Sequence, residues 1–289
     1  MLNVLTVDVE ETFHATEVQA SSGTRHWDAH ASRVEDQTRR VLEMFAARGV
    51  RATFFVLGWV ARRRPGVVRE IVANGHEIGS HSFSHRLIYE LTPAEFRRDT
   101  EEASDAIAQA CGSLPRLYRA PSYSITAKSL WALEILVECG FTHDSSIYPI
   151  SHDRYGIPGF PRRAGVVPTP SGPIFEVPIA TIELSNGCAA PVGGGAYLRL
   201  LPYRYTAAGI RRINRENMPA CIYFHPWELD AGQPRLTSRL LSRWRTYAGL
   251  RGMQRKVDRL LREFQFSSME AVYPFSREAV VRAANQGLA

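Results

Sequence analysis

No apolar run in this 289-residue chain reaches the length of about 20 residues that a bilayer-spanning helix needs. The first residues, Met1 to Asp8, lack a basic start, a long apolar stretch and a cleavage site. They read as a first core strand rather than a secretory leader, which makes a cytoplasmic location the default expectation. Cysteine is scarce: Cys111, Cys139, Cys188 and Cys221 lie far apart and none forms a C-x-x-C pair. That excludes a zinc-finger site and a dense disulfide framework, and leaves buried free thiols as the expectation. Internal repeats, low-complexity tracts and an evident domain linker are also missing.

What is present is a globular composition, 45% hydrophobic and 22% charged, with a net charge of +6. The fractions fit a folded chain with ample length for a full core. Arg62-Arg63-Arg64 and the stretch from Arg235 to Arg262 carry much of the positive excess. An anionic partner (nucleic acid, membrane surface or acidic polysaccharide) competes there with a solvated helix face. No nucleic-acid motif accompanies the charge, and the solvated face is the preferred reading.

Strand-like and helix-like segments alternate along the chain. Leu2 to Val9 is a β-branched apolar run ending in acids. Helical periodicity covers 33–48 and stops at Gly49. Residues 52–56 read as a buried strand, 66–74 as a helix, and 77–80 as a strand that leads into His81. Thr92-Pro93-Ala94-Glu95 combines an N-cap, a proline at the first helical position and a capping box, predicting a helix to about Cys111. Strands are expected at 117–119, 141–144, 174–178 and 220–224. Thr126 is expected to cap a helix reaching Cys139. Residues 149–173 read as a long loop inserted over the active face, and Gly193-Gly194-Gly195 as a flexible connection before a helix near 205–217. Further helices are expected to about Phe264, then a final strand and turn at 266–272. Repeated β-then-α units imply a parallel sheet, closed or nearly closed into a barrel. A doubly wound open sheet is the alternative.

In such barrels chemistry collects at the C-terminal ends of strands. Asp8, Glu10, His81, Arg119, Asp144 and His225 each follow an apolar strand. His81-Ser82-Phe83-Ser84-His85 places two imidazoles at i and i+4, on one face of a helical turn, so both can reach one metal ion. Asp8 and Glu10 are i and i+2 in an extended strand and point the same way. One acid can bind metal while the other acts as base, and a cation would relieve their mutual repulsion. Glu11 competes with Glu10 for the ligand role, and His14 reads equally as a site-lining or a plain loop histidine. Two histidines and a carboxylate leave positions open for water and substrate. Zinc suits these donors, and cobalt, nickel, manganese or iron could occupy the same set. Arg119 can orient a carboxylate base by paired hydrogen bonds or form an ordinary strand–turn salt bridge. Pro121 stiffens a turn that could present the Tyr123 N–H to an oxyanion. His225 can donate a proton to a leaving amine, or be a buried structural histidine. Asp144 could tune that imidazole, bind substrate or cap a turn. Paired carboxylates acting as a glycosidase fail on geometry, because strand neighbours sit too close to bracket a sugar bond.

The order of these segments resembles the polysaccharide deacetylase family, also called the NodB-homology family or carbohydrate esterase family four. The resemblance spans roughly the first four-fifths of the chain. Thr6-Val7-Asp8-Val9-Glu10, His81 to His85, Arg119 to Tyr123, Asp144 and Tyr223-Phe224-His225 stand where five family motifs fall. It implies an α/β fold, a distorted (β/α)7 barrel, with residues 1–289 as one domain and 236–289 as a helical C-terminal extension. It also implies metal-dependent removal of acetyl groups from a sugar or polysaccharide, in exopolysaccharide or cell-wall metabolism. Carried over by position, Asp8 is the general base, Glu10, His81 and His85 hold the metal, Arg119 orients Asp8, Tyr123 donates to the oxyanion and His225 is the general acid. The tail and His225-Pro226-Trp227-Glu228 resemble a subgroup linked to exopolysaccharide gene clusters. Two departures stand out. Val9 separates acids that are usually adjacent aspartates, and Ser145 follows Asp144 where a tryptophan is usual. The spaced acids motivate an alternative, an amidase on a ring amide or small metabolite as in allantoinase-like proteins. A barrel that binds carbohydrate without turnover is a third reading.

Overall fold

A computed structural model describes residues 1–22, 27–184 and 187–276. The chain begins with β1 (Leu2–Val9), followed by α1 (Thr16–Ser22) and α2 (Val34–Ala46). Next come β2 (Thr53–Val56), α3 (Gly58–Arg63), α4 (Pro65–Ala73), β3 (Glu77–Ser80), α5 (Pro93–Cys111), β4 (Leu117–Tyr118), α6 (Trp131–Glu138) and β5 (His143–Asp144). The second half contains β6 (Gly165–Val167), β7 (Ile174–Glu176), β8 (Thr181–Glu183), β9 (Ala189–Pro191), α7 (Gly195–Leu200), α8 (Tyr203–Arg215), β10 (Cys221–Phe224), α9 (Leu240–Tyr247), α10 (Leu250–Glu263), β11 (Gln265–Ser267) and α11 (Met269–Val272).

The main sheet runs in the order β10-β1-β2-β3-β4-β5-β7-β6, and β11 adds to the start of β1. All pairings along β10 to β7 are parallel, and β6 returns antiparallel on β7. After β7 the chain bends inward, and the Ala180 N–H donates to the Cys221 carbonyl at 3.1 Å. Irregular backbone thereby bridges the two ends of the parallel path, giving a distorted barrel rather than a regular cylinder.

Alternation along β1 sorts side chains between two layers, because successive residues point to opposite faces. Leu5, Val7 and Val9 pack outward in the main cluster with α2, α3 and α4, together with Phe45, Val60 and Ile71. Val4 packs inward with Phe55, Leu117, Tyr123 and Tyr223, and Thr6 and Asp8 share its direction. Gly79 in β3 is required by this interior: a Cβ there would sit 2.5 Å from the Phe55 ring and 3.0 Å from the Leu117 carbonyl. The Thr92–Glu95 capping box forms as the sequence indicates, with α5 ending at left-handed Gly112.

Several local expectations need correction. The segment 58–63 is an additional helix, cut from α4 at Arg64, where Pro65 cannot continue it. Thr126 caps nothing: its N–H donates to Ser129 Oγ at 2.9 Å in a turn, and α6 starts only at Trp131. Residues 149–173 contain β6 rather than loop alone. The glycines at 193–195 are a tight packing point and not a flexible link, since a Cβ on Gly194 would collide with the Tyr223 carbonyl. The four thiols form no disulfide, but only Cys221 is buried, and Cys188 is exposed. No helix among the described residues is long and apolar enough to cross a membrane.

Candidate active site

A cleft of about 410 Å³ opens at the C-terminal ends of the parallel strands, and Asp8, Glu10, His81, His85, Tyr123 and His225 all line it. Glu10 lies one residue past β1 and Asp8 within it, so both carboxylates face the cleft while Val9 is fully buried in the outer core. Glu11 turns away. Its Oε1 accepts from the Ser32 hydroxyl at 2.6 Å and from the N–H groups of Arg33 and Val34 at 2.9 and 3.1 Å. It caps the start of α2 and cannot reach the cleft.

Glu10 Oε2 sits 2.6 Å from His85 Nε2 and 3.9 Å from His81 Nε2. Ligand atoms from these three buried residues all lie within 4.8 Å of one another. His81 Nδ1 lies 2.9 Å from the Arg119 carbonyl, which fixes a proton on Nδ1 and leaves the Nε2 lone pair facing Glu10. Glu10 Oε2 is buried yet has no hydrogen bond of good geometry, so the donors converge on a shared point rather than satisfy one another. Burial pushes the Glu10 carboxyl up, but His85 and then His225 and His81 outweigh it and hold it well below the usual range. Burial lowers His81 to about 4. An ionised carboxylate and a neutral imidazole are the forms that bind a divalent cation. Among the described residues this set fits such an ion.

The two histidines do not come together on a helical turn as the i, i+4 spacing suggests. Residues 81–85 form an irregular loop in which Ser82 and His85 take positive φ values of 68° and 50°. Asp99, from α5, shapes that loop. Its carboxylate accepts from Ser82 Oγ at 2.5 Å, from the Phe83 N–H at 2.8 Å and from the Ser84 N–H at 3.0 Å, and it also takes the Ser84 hydroxyl. Sequence reasoning missed Asp99, because an acid in the middle of an amphipathic helix looks like any solvated residue.

On one side of the cluster, Arg119 is fully buried inside the barrel. Its NH1 donates to Asp8 Oδ1 at 2.8 Å and to Thr6 Oγ1 at 2.6 Å, and its NH2 to Ser145 Oγ at 2.8 Å. The guanidinium carbon lies 4.3 Å from the Phe55 ring centroid. Burial works against the guanidinium's charge, but Asp8 outweighs it and keeps the group protonated. Ser145, at the position of the missing tryptophan, therefore anchors Arg119. Aromatic wall is supplied instead by Tyr123, Tyr155, Tyr197 and Tyr223, which all reach the cleft.

On the other side, His225 Nε2 lies 3.7 Å from Glu10 Oε1. Its partner is Glu228, with Nδ1 to Oε2 at 3.0 Å, and Arg199 Nε donates to the opposite oxygen at 3.0 Å. Burial lowers the imidazole, but Glu228, by hydrogen bond and by charge, more than offsets this and raises it to about 9. Trp227 Nε1 donates to Glu10 Oε1 at 3.2 Å. The spacing His225-x-x-Glu228 around Pro226 was the available signal for this pair, since it is also a capping box.

Two sequence expectations are not met in this arrangement. Asp144 is buried beside Glu176, away from the cleft, with its Oδ1 accepting from Ser146 Oγ at 2.5 Å. It neither tunes His225 nor faces substrate space. The Tyr123 N–H donates to the Ala120 carbonyl at 3.1 Å inside a short turn, so it is not offered to an oxyanion in this conformation. His14 is buried in a cage of Phe13, Trp27 and Trp59, and its Nδ1 accepts from the Glu11 N–H at 3.0 Å. It does not line the cleft.

Parallel strands closing as a distorted α/β barrel, with two histidines and a carboxylate at their ends, define a barrel of the NodB class. Residues 26–142 match the polysaccharide deacetylase model, so this chain carries a domain of that family. Residues 145–274 match a domain of unknown function, DUF3473. A chitooligosaccharide deacetylase of Bradyrhizobium sp. (strain ANU 289) is 38% identical over 100 residues, covering 34% of this chain and 43% of that protein. A peptidoglycan-N-acetylglucosamine deacetylase of Bacillus cereus is 32% identical over 98 residues, covering 34% and 36%. The chain thus spans less than half the length of these relatives. In fold it is similar to a Mycobacterium smegmatis protein provisionally assigned as a polysaccharide deacetylase (TM-score 0.65, 16% identity, 99% of this chain and 91% of that one). It is also similar to the Puue allantoinase (TM-score 0.62, 17% identity, 94% and 91%).

Proposed function

We propose that this protein is a metal-dependent hydrolase that removes N-acetyl groups from a sugar or polysaccharide. One observation carries the reading. The Glu10–His81–His85 cluster is flanked on one side by Asp8 held by Arg119 and on the other by His225 held by Glu228. That provides a candidate base and a candidate acid, each held by its own partner, beside a single point. The names of the curated relatives, both sugar N-deacetylases, agree with it.

Glu10, His81 and His85 would hold a divalent cation, which when bound would supply Lewis acidity toward an amide carbonyl and toward water. Asp8 accepts the proton of the attacking water, its carboxylate oriented by Arg119. His225, kept charged by Glu228, gives its proton to the amine nitrogen as the C–N bond breaks, leaving acetate and a free amino sugar. Tyr123 and its tyrosine neighbours exclude water from the acyl side. Tyr123's own N–H could serve the oxyanion only if the turn at 120–123 relaxes on binding. Zinc is the preferred ion. The pathway is exopolysaccharide or cell-wall metabolism, and the location cytoplasmic, which cell fractionation checks. We read residues 1–289 as one barrel domain with 236–289 as an extension, supported by β11 pairing with β1.

The test is acetate release by zinc-loaded protein from N-acetylated chitooligosaccharides and peptidoglycan fragments, with a ring amide such as allantoin as a parallel substrate. Acetate release with no ring opening is expected. Absence of metal uptake together with absence of acetate from every glycan would overturn the proposal.

A further inference from the structure

From Ala231 to Val257 the chain contains no acidic residue and seven cations. Within this stretch α9 exposes three large apolar side chains: Leu240 at 84%, Leu241 at 60% and Trp244 at 57%. Leu240 and Trp244 are i and i+4 and share one face, with Leu241 beside them. Arg239 and Arg243, also i and i+4, are exposed along the edge of that face. Neither forms an ion pair among the described residues. The opposite side of α9 is anchored, with Ser242 buried and its hydroxyl donating to Glu17 Oε2 at 3.1 Å. Arg245 holds the other Glu17 oxygen at 3.0 Å. Trp244, Arg245 and Thr246 reach the cleft, so the apolar face lies at its mouth.

We propose that α9 docks on an anionic lipid bilayer, presenting the cleft to glycan held at that surface. The argument is charge complementarity combined with shape. A short helix that exposes leucine and tryptophan between arginines has the pattern of an element lying in a bilayer interface. An acidic polysaccharide would use the arginines but give two leucines no partner. A spanning segment is not involved, since no described helix can cross a membrane. The consequence for substrate rests on the deacetylase reading; the docking does not.

The experiment is co-sedimentation of the full chain with vesicles of phosphatidylglycerol and phosphatidylcholine, and with vesicles of phosphatidylcholine alone. The parent is expected to sediment with the anionic vesicles only, and to be released between about 0.1 and 1 M salt as screening shortens the range of its charges. Leu240→Ser with Leu241→Ser, and separately Arg239→Gln with Arg243→Gln, are each expected to weaken partitioning about tenfold or more. These side chains lie outside the cleft, so acetate release from a soluble oligosaccharide should stay at the parent level. Docking is overturned if the parent ignores anionic vesicles, or if both double variants bind as well as the parent. A dimer of the parent that the leucine variant dissolves would assign the face to a second copy. Retention on hyaluronan without binding to vesicles would assign it to acidic glycan. Because sedimentation reads no turnover, loss of acetate release alone would count against the deacetylase reading and leave docking standing.

Discussion

Glu228 lies 3.0 Å from His225 Nδ1 with one oxygen and 3.0 Å from Arg199 Nε with the other. All three side chains are wholly or largely buried, so the carboxylate acts in a poorly screened setting. It raises the imidazole to about 9. A general acid must carry its proton, so activity should persist up to that region and fall above it. Glu228→Gln removes the stabilising charge and should move the alkaline limb of the kcat/KM profile to lower pH, toward the ordinary histidine range near 6.5. An unmoved limb would detach His225 from the acid role.

Glu10 and Glu11 are neighbours with separate duties, and two variants should separate them. Glu10→Gln is expected to lose bound metal by elemental analysis while remaining folded. Glu11→Gln should keep its metal but melt earlier, because a buried carboxylate accepting three hydrogen bonds is replaced by a weaker acceptor, costing on the order of 1–3 kcal/mol. Metal loss in the Glu11 variant would reverse the assignment.

Asp99 touches neither the cation position nor the cleft. Asp99→Asn can keep only part of the bonding to the 82–84 loop that sets His81 and His85. Metal affinity should fall roughly 10–100-fold, the range for residues that support ligands from behind. Competition with a chelator of known affinity measures it, and unchanged affinity would show that the loop holds its shape without Asp99.

Arg119→Met leaves Asp8 as a buried, unpaired carboxylate. Breaking such a pair costs about 3–5 kcal/mol, so the melting temperature should drop along with acetate release. Arg119→Lys should recover part of the stability and less of the activity, since one ammonium cannot reproduce the planar fork toward Asp8, Thr6 and Ser145.

Asp144 and Glu176 are both fully buried, and burial raises both, Glu176 further because the Asp144 charge adds to it. A carboxyl with a raised folded-state pKa favours its protonated form, so its contribution is fully present below the unfolded value near 4 and fades as pH rises through the folded value. Glu176→Gln needs no proton. The melting temperature of the variant relative to the parent should therefore climb from pH 5 toward pH 9. A constant difference would mean that the pair does not titrate in this window.

Much of the frame could be read along the chain. The alternation in β1, the capping box at Thr92–Glu95 and the reactive residues after apolar strands are local patterns with local causes. The split at Pro65, the late start of α6 and the packing of Gly194 against Tyr223 were harder, because each depends on what lies across the fold.

By itself the sequence determined that Asp8 and Glu10 share a direction, that His81 and His85 follow a buried strand, and that His225 ends another. Period-two alternation and strand order suffice for that. Only the tertiary structure decided which acid faces His81 and His85. Glu11 is drawn to the unsatisfied N–H groups opening α2, more than twenty residues away, which leaves Glu10 to the cleft. It also gave His225 to Glu228 instead of Asp144, and shaped the histidine loop around Asp99. Those choices follow from buried polar groups competing for a limited set of partners, and the winners are set by distances in space that no spacing along the chain records.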